Sequence, residues 1–187
     1  MKLYVCFFRE SDPAGQHEKA HRLLKYVLKR EYGLEDYTLS KNSHGKPGLV
    51  SHPHIRFNLS HCREMAVCGV GATALGVDGE KLRLLRRGVV RRSCAPSEVQ
   101  ELEQSSEPDL CFTRLWTLKE SFIKAVGLGL SYPMRKAVFS LAGENVETNI
   151  IGARFWQYVI EGQYVISACA AEPETQCEVL FLTEGTI

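Results

Sequence analysis

The first part of the chain has a pattern of apolar and polar residues that predicts a strand followed by a helix. Apolar residues from Leu3 onward predict the first strand. After it, Asp12 and Pro13 fit the start of a helix, and Gly33 fits its end. Five apolar residues between them recur at helical spacing and form one stripe: Ala20, Leu23, Leu24, Val27 and Leu28. We expect the helix to bury this stripe in the core.

Shorter apolar segments predict that strands follow this helix. Residues 40–54 are rich in Gly, Pro and His, and we predict a loop without regular structure there. Residues 55–59 alternate between polar and apolar side chains, which is typical of a strand. Residues 65–70 and 75–82 predict two further strands.

The second half of the chain again combines helices with strands. Ser97 opens a short acidic helix, and residues 112–126 predict a strong helix that ends at Gly127. Four strands are predicted after it, over residues 137–141, 155–160, 163–171 and 177–182. Because each half holds helices and strands, we predict an α+β fold. The pattern permits a duplicated unit, with an N-terminal half of residues 1–75 and a C-terminal half of residues 76–187.

The composition is that of a globular protein, but its charge is unevenly distributed. The 187 residues are 44% hydrophobic and 24% charged, which suits one domain or two small halves that share a core. The net charge of +1 excludes a histone-like polycation and an acidic tail. Residues 1–92, however, carry 17 basic and 9 acidic side chains, whereas residues 93–187 carry 6 and 13. The N-terminal half is therefore basic and the C-terminal half acidic.

No segment of the sequence resembles a membrane span or an export signal. No stretch reaches the ~18 consecutive apolar residues that a membrane helix needs, and the apolar N-terminal segment is too short for a secretory signal. The seven cysteines include no C-x-x-C pair, so we expect reduced thiols. These features predict a cytoplasmic protein that does not associate with membranes.

Two carboxylates on one predicted strand are the first candidates for chemistry. Asp78 and Glu80 are two residues apart, so their side chains project from the same face of the strand. Carboxylates at that spacing repel each other unless a cation lies between them. Mg²⁺ accepts one or two carboxylates and leaves room for substrate phosphate. Taken alone, the pair is more typical of two solvent-facing side chains than of a metal site.

One side of the predicted 112–126 helix carries a second group of candidates. Trp116, Glu120 and Lys124 line the side opposite the apolar face of this helix. Glu120 and Lys124 alone could form an ordinary helix-surface pair. A tryptophan on the polar side, however, needs something to cover it, so we expect this face to border a cleft.

Two shorter segments are further candidates, and the first of them offers groups that can bind phosphate oxygens. In Asn58-Leu59-Ser60-His61, a hydroxyl and an imidazole stand at the predicted end of a strand. The second segment, Gly45-Lys46-Pro47, lies in the predicted loop. Each segment is weak by itself, because a strand-end Ser-His pair is usually only part of a turn.

In this order and spacing, the four segments resemble the 4'-phosphopantetheinyl transferases, in their larger monomeric, surfactin-synthetase-activating branch. The resemblance extends from the helix around His21 to the strand around Ala170, which is most of the chain, and Trp116 to Lys124 is its most specific part. It implies two similar α+β subdomains related by a pseudo-two-fold axis, with the active site in the cleft between them. The implied reaction moves the phosphopantetheine arm of coenzyme A (CoA) to a serine of an apo acyl or peptidyl carrier protein. It releases 3',5'-ADP, and the enzyme is expected to be a monomer.

The resemblance also assigns roles around the reacting phosphate. It implies that Asp78, Glu80 and Glu120 bind a Mg²⁺ ion that bridges the CoA pyrophosphate. It further implies that Lys124 neutralises or protonates the departing phosphate. Glu98 matches a position where some members hold a general base for the acceptor hydroxyl, with a metal-bound water as the rival candidate.

Binding of CoA and of the carrier protein is assigned in the same way. Five residues match family positions that hold the phosphates and adenine of CoA: Arg22, Lys46, Pro47, Ser60 and His61. A basic N-terminal half suits a ligand with several negative charges. Six Lys or Arg residues between Lys81 and Arg92 predict a docking surface for an acidic carrier protein, with a solvated flexible loop as the alternative. Gly79 departs from the family pattern, which usually has an aliphatic residue between the two carboxylates.

Three alternative functions belong to other classes. A relative that binds CoA or a carrier protein without transferring anything is disfavoured by the intact carboxylates and lysine. A nucleic-acid binder is disfavoured because aromatic residues do not interleave with the basic run and the total charge is not basic. A zinc protein is disfavoured because its candidate ligands fit no ordinary zinc spacing. Those ligands would be His52, His54, His61, Cys62 and Cys68.

Overall fold

The computed structural model describes residues 1–9, 12–141 and 146–187, and these residues form four α-helices and eleven strands. The helices are α1 (Pro13–Tyr32), α2 (Arg87–Ser93), α3 (Pro96–Gln104) and α4 (Pro108–Val126). The strands of the first half are β1 (Lys2–Phe7), β2 (Leu39–Lys41), β3 (Pro47–Leu49), β4 (Arg56–Cys62), β5 (Met65–Gly71) and β6 (Leu75–Lys81). The remaining strands are β7 (Phe139–Ser140), β8 (Glu147–Thr148), β9 (Ala153–Ile160), β10 (Tyr164–Ala171) and β11 (Glu178–Thr183). The predicted α+β class is confirmed.

The first two layers of the fold are a four-stranded sheet and α1, which packs on this sheet. The strand order is β11-β1-β5-β4, with β1 antiparallel to β5 and parallel to β11. The predicted apolar stripe of α1 is buried against this sheet, as expected. The side chain of Asp12 accepts a hydrogen bond from the Gly15 amide, and Gly33 ends the helix with a left-handed backbone at φ 68°.

A three-stranded antiparallel sheet of order β6-β10-β9 forms the second layer, and α4 packs on it. The two sheets face each other across a shared core. Leu3 and Val67 lie on one side of this core, and Val77, Ile166 and Ala168 lie on the other. The predicted helix over 112–126 is confirmed as α4, which begins earlier, at Pro108, and ends at Val126, with Gly127 as its left-handed cap.

The structure corrects three predictions about local structure. Residues 40–54 are not all loop, because β2 and β3 form a short hairpin in which Leu39 pairs with Leu49 and Leu49 is buried. Ser60 and His61 do not follow a strand; they lie inside β4, which continues to Cys62. The strand predicted over residues 137–141 is reduced to the two residues of β7, which pair with β8.

The last strand crosses from the C-terminal half to the first sheet. β11 pairs in parallel with β1 over six residues, so the predicted strand over 177–182 is confirmed within one residue at each end. The division at residue 75 stays a prediction. None of the helices in the described ranges is both long and apolar enough to span a bilayer.

Candidate functional site

The first part of the site is built where β4 and β6 lie side by side. The Asn58 side-chain oxygen accepts a hydrogen bond from the Val77 amide at 2.9 Å, and Ser60 Oγ accepts one from the Gly79 amide at 3.2 Å. These bonds tie the first sheet to the second at the position of the predicted carboxylate pair. The sequence singled out the segment around Asn58 but not this clamping role of the amide.

Asp78 lies at the centre of a buried polar network. Its side chain is only 6% exposed, and its Oδ1 atom lies 2.7 Å from Lys124 Nζ and accepts a hydrogen bond from Ser60 Oγ at 2.9 Å. Lys124 Nζ is also 3.1 Å from Ser60 Oγ. The structure thus brings together a carboxylate from β6, a hydroxyl from β4 and an ammonium group from α4.

The second oxygen of Asp78 has an unusual environment. Asp78 Oδ2 is buried and has no hydrogen-bond partner among the residues that the structure describes. A buried carboxylate oxygen without a partner is energetically costly unless a ligand reaches it. This unpaired oxygen is what a hard cation would use, so the residues present fit a Mg²⁺ site.

The other two predicted metal ligands lie close enough to Asp78 to interact with it. Burial, and then the Asp78 charge, raise the pKa of Glu80 to about 7. The same two causes raise the pKa of Glu120. Mutual repulsion among three carboxylates is a second sign that the cluster favours a cation. Within the described part of the chain, however, no three His, Cys, Asp or Glu side chains are already arranged as a metal-binding group.

Arg83 explains how Trp116 is covered. The Arg83 guanidinium lies 4.7 Å from the Trp116 ring and makes an ion pair with Glu80 at 2.9 Å. The tryptophan also packs against Phe112 on the same helix. We expected from the sequence that something covers Trp116, but the sequence did not show that this residue is Arg83.

A cavity of about 650 Å³ lies next to this cluster. Glu120 and Lys124 of α4 form one side, and Lys46 and Pro47 line it from the β2–β3 hairpin. Its volume is in the range of small-molecule sites. Four of the predicted site residues therefore meet in one cavity.

Asn42 holds this hairpin against the end of α4, a role that the sequence did not suggest. Its side chain donates a hydrogen bond to the Gly127 carbonyl at 3.0 Å and accepts bonds from the His44 and Lys46 amides. Lys46 Nζ donates to the carbonyls of Leu75 and Ala125, both at 2.9 Å. Burial lowers the pKa of Lys46 to about 8. The Lys46 ammonium thus ties the hairpin to both β6 and α4.

Arg22 and His61 are exposed residues on the side of the first sheet. Arg22 donates a hydrogen bond to the Ile187 carbonyl at 2.6 Å. The His61 ring is 6.2 Å from His17, which in turn is 4.4 Å from His21. These residues do not belong to the lining of the 650 Å³ cavity.

Glu98 is not brought to the cavity. Its side chain is fully buried and makes an ion pair with Lys119, also fully buried, at 2.8 Å. Its two oxygens also accept hydrogen bonds from the amides of Ala95 and Phe139. The role of general base stays a prediction for Glu98, and this geometry does not support it.

Gly79 has a packing reason that the sequence did not suggest. A Cβ atom added there would lie 2.8 Å from side-chain atoms of both Met65 and Val67 on β5. The glycine therefore allows β6 to approach β5 closely.

Comparison with known proteins identifies the family. The profile of the 4'-phosphopantetheinyl transferase superfamily matches residues 74–169, which include Asp78, Glu80, Glu120 and Lys124. A 4'-phosphopantetheinyl transferase of Bacillus subtilis is 31% identical over 173 residues, covering 84% of this chain and 77% of the relative. The 4'-phosphopantetheinyl transferase Sfp of Bacillus subtilis strain 168 is 29% identical over 172 residues, with the same coverage.

Among solved structures, the holo-[acyl-carrier-protein] synthase of Neisseria meningitidis is similar with a TM-score of 0.47 and 20% identity. The alignment covers 53% of this chain and 97% of that protein. Family membership rests on the sequence matches, which extend over most of the chain and include the carboxylate and lysine cluster. The chain therefore belongs to the 4'-phosphopantetheinyl transferase superfamily, whose members are transferase enzymes that act on carrier proteins.

Proposed function

We propose that this protein transfers the 4'-phosphopantetheine arm of CoA to a serine of an apo acyl or peptidyl carrier protein and releases 3',5'-ADP. The observation that carries the proposal is the buried Asp78, which pairs with Lys124 through one oxygen, has no partner for the other, and raises the pKa of Glu120 by its charge. A carboxylate cluster with an adjacent ammonium group suits a reaction in which negative charge develops on phosphate oxygens.

Asp78, Glu80 and Glu120 would hold the Mg²⁺ ion. Two of them have a raised pKa, and the third has an unpaired buried oxygen, so a cation would relieve both costs. Mg²⁺ usually keeps several of its waters and takes one or two carboxylates directly, so at least one of the three would contact the ion through a water. When bound, Mg²⁺ would stabilise the charge of the CoA pyrophosphate.

Lys124 would stabilise the departing phosphate. Its side chain is 26% exposed and lines the cavity, while Asp78 and Ser60 hold its ammonium group by hydrogen bonds. An ammonium group held this way is positioned before the reaction and needs little reorganisation. Ser60, which the resemblance assigns to CoA, would in this geometry orient both Asp78 and Lys124.

CoA would bind across the cavity and the neighbouring basic surface. Lys46 and Pro47 would contact it from the hairpin, and Lys124 from α4. His61 and Arg22 would bind the more distant phosphate from the side of the first sheet. Arg22 would have to exchange its bond to the Ile187 carbonyl for a phosphate oxygen, which its planar guanidinium binds well.

The site would lie between two similar α+β halves related by a pseudo-two-fold axis, with the division near residue 75. The hydrogen bonds from β4 to β6, and from the β2–β3 hairpin to α4, support a site at such a seam. All seven cysteines are free thiols, which supports a reducing, cytoplasmic location. We also propose that the protein acts as a monomer.

The carrier protein would dock on the basic segment at α2. Lys81 and Arg83 are engaged by Glu64 and Glu80, so they contribute less free charge than their number suggests. Four further arginines are exposed on or beside α2: Arg86, Arg87, Arg91 and Arg92. A row of exposed guanidinium groups beside the cavity would attract an acidic carrier and raise its association rate, most strongly at low salt.

The test is to incubate the protein with CoA, Mg²⁺ and a panel of apo carrier proteins and then to weigh each carrier by mass spectrometry. We expect one carrier to gain the mass of one phosphopantetheine arm, and its Ser→Ala variant to gain nothing. A chain that bound CoA but loaded no carrier would be the non-catalytic relative instead.

A further inference from the structure

Lys119 is a fully buried lysine to which the proposed reaction gives no role. It precedes Glu120 on α4, but its side chain is fully buried and does not line the cavity. A lysine is almost never fully buried unless its charge is matched by partners. Its burial therefore implies that its ammonium group has charged or polar partners.

The Lys119 ammonium group joins three separate elements. It makes an ion pair with Glu98 of α3, and it donates hydrogen bonds to the carbonyls of Met134, at 3.1 Å, and Ala137. Met134 and Ala137 lie on either side of a tight turn that follows α4. The ammonium group therefore ties α4 to α3 and to this turn.

Glu98 extends the same network to the next strand. One of its oxygens accepts a hydrogen bond from the Phe139 amide at 2.9 Å, and the other accepts one from the Ala95 amide at 2.6 Å. The chain from Met134 to Phe139 is thus fixed at three points by two buried charges. Backbone groups held by charged partners form strong hydrogen bonds.

The fixed turn also forms a wall of the cavity. Tyr132, Pro133 and Met134 line the cavity together with residues of the β2–β3 hairpin and α4. Met134 is therefore both a lining residue and, through its carbonyl, a partner of Lys119. A shift of this wall changes the width of the cavity without touching Asp78, Ser60 or Lys124.

We propose that Lys119 and Glu98 are positioning residues that hold the Tyr132–Pro133–Met134 wall in place for the CoA arm. The inference rests on the proposed function of the cavity as the CoA site. It replaces the predicted role of Glu98 as general base, because both oxygens of Glu98 are occupied in a site that substrate does not reach.

Glu98→Gln distinguishes positioning from base catalysis. The amide keeps the size of the carboxylate and an oxygen that accepts from Phe139. We expect a lower melting temperature, because the buried Lys119 charge loses its ion pair. In the folded variant, however, we expect kcat within about threefold of the wild-type value and an unchanged pH profile, since an acceptor hydroxyl does not need this group. Loss of about 100-fold or more in kcat, together with loss of the acidic limb of the pH profile, would assign Glu98 as the base and overturn the proposal.

The double variant Glu98→Gln/Lys119→Met removes the tether itself. Replacing both charges together avoids leaving one buried charge unpaired, which would be strongly destabilising. We expect KM for CoA to rise about tenfold, as when an outer support of a site is removed, with a smaller fall in kcat. Direct titration with CoA, without carrier protein, should show the same loss of affinity.

The matched control is Glu103→Gln, an exposed residue on the same helix as Glu98. It should leave KM, kcat and melting temperature unchanged. A folded double variant with wild-type KM and CoA affinity would show that the pair serves stability alone and would overturn the proposal. Activity of the wild-type protein on a carrier tests the proposed function separately from this inference.

Discussion

Gly76 offers a test of how closely α4 must approach β6. A Cβ atom at this position would lie 2.1 Å from the Ser121 carbonyl oxygen and 2.3 Å from the Ala125 nitrogen. These two atoms form one hydrogen bond of the regular helical ladder. The substitution Gly76→Ala therefore places a methyl group on the backbone of α4, where no side chain can move aside to make room.

The size of the effect follows from this distance. Carbon–oxygen contacts in proteins lie at ~3.3–3.6 Å, so α4 has to retreat by about 1 Å. Overpacking of this kind costs roughly 2 kcal/mol, which lowers the melting temperature of a domain of this size by about 4–8 °C. A misplacement of about 1 Å also costs about 100-fold in rate, because α4 carries Glu120 and Lys124 and their partner Asp78 is on β6.

Two assays on one protein preparation measure this prediction. Thermal unfolding reports the loss of stability, and the rate of phosphopantetheine transfer to an apo carrier reports the displaced helix. Gly185→Ala is the matched control, since a Cβ there would meet no atom within 4 Å and should change neither value. A Gly76→Ala variant with wild-type melting temperature and rate would refute the close approach of α4 to β6.

Three further predictions concern charged groups of the site. Lys124→Met should lower kcat about 100-fold while raising KM for CoA by less than about threefold, and steady-state kinetics that showed mainly a KM effect would contradict its role in the reaction. Chelation with EDTA should stop transfer, and added Mg²⁺ should restore it and raise the melting temperature of the wild-type protein, whereas an Asp78→Asn variant that gained the same increase would count against the metal site. Because burial lowers the pKa of Lys46 to about 8, the unfolded chain binds more protons above that pH, so the free energy of unfolding should rise between pH ~8 and 10. Denaturant titrations should show this rise in the wild-type protein and not in Lys46→Met. If the free energy of unfolding changed equally with pH in both proteins, the lowered pKa of Lys46 would be contradicted.

The helices and most strands could be predicted because their signals are local. The stripe of α1, its Asp12 cap and its Gly33 end all lie within one segment, and each is confirmed. The β2–β3 hairpin was missed for a physical reason. Its Gly and Pro residues suggest loop, whereas its pairing is stabilised by burial of Leu49 against a distant helix and sheet.

The site residues could be predicted from local spacing, as the helices were, whereas their partners from distant parts of the chain could not. Spacing on a strand and on a helix sufficed to select Asp78, Glu80, Glu120 and Lys124 as candidates. The partners that orient them could not be predicted, because Ser60 is 64 residues from Lys124 and Asn42 is 85 residues from Gly127. Lys119 was visible in the motif, but only the fold shows that its charge is directed into the core.

The uneven charge of the two halves now has a partial explanation. The basic half supplies Lys46 and Arg22, together with arginines near α2. The acidic half supplies Glu120, and it supplies Glu98 for the buried pair with Lys119. Most of the acidic surplus lies outside the site and has no role in the reaction as described.

The most direct test of the central claim is the intact mass of an apo carrier protein after incubation with CoA, Mg²⁺ and either the wild-type protein or Asp78→Asn. The account predicts that the wild-type protein adds one phosphopantetheine arm to the carrier serine. The variant, with its fold verified by circular dichroism, should leave the carrier unmodified over the same time. Equal loading by both proteins would contradict the claim that the Asp78 cluster is the transfer site.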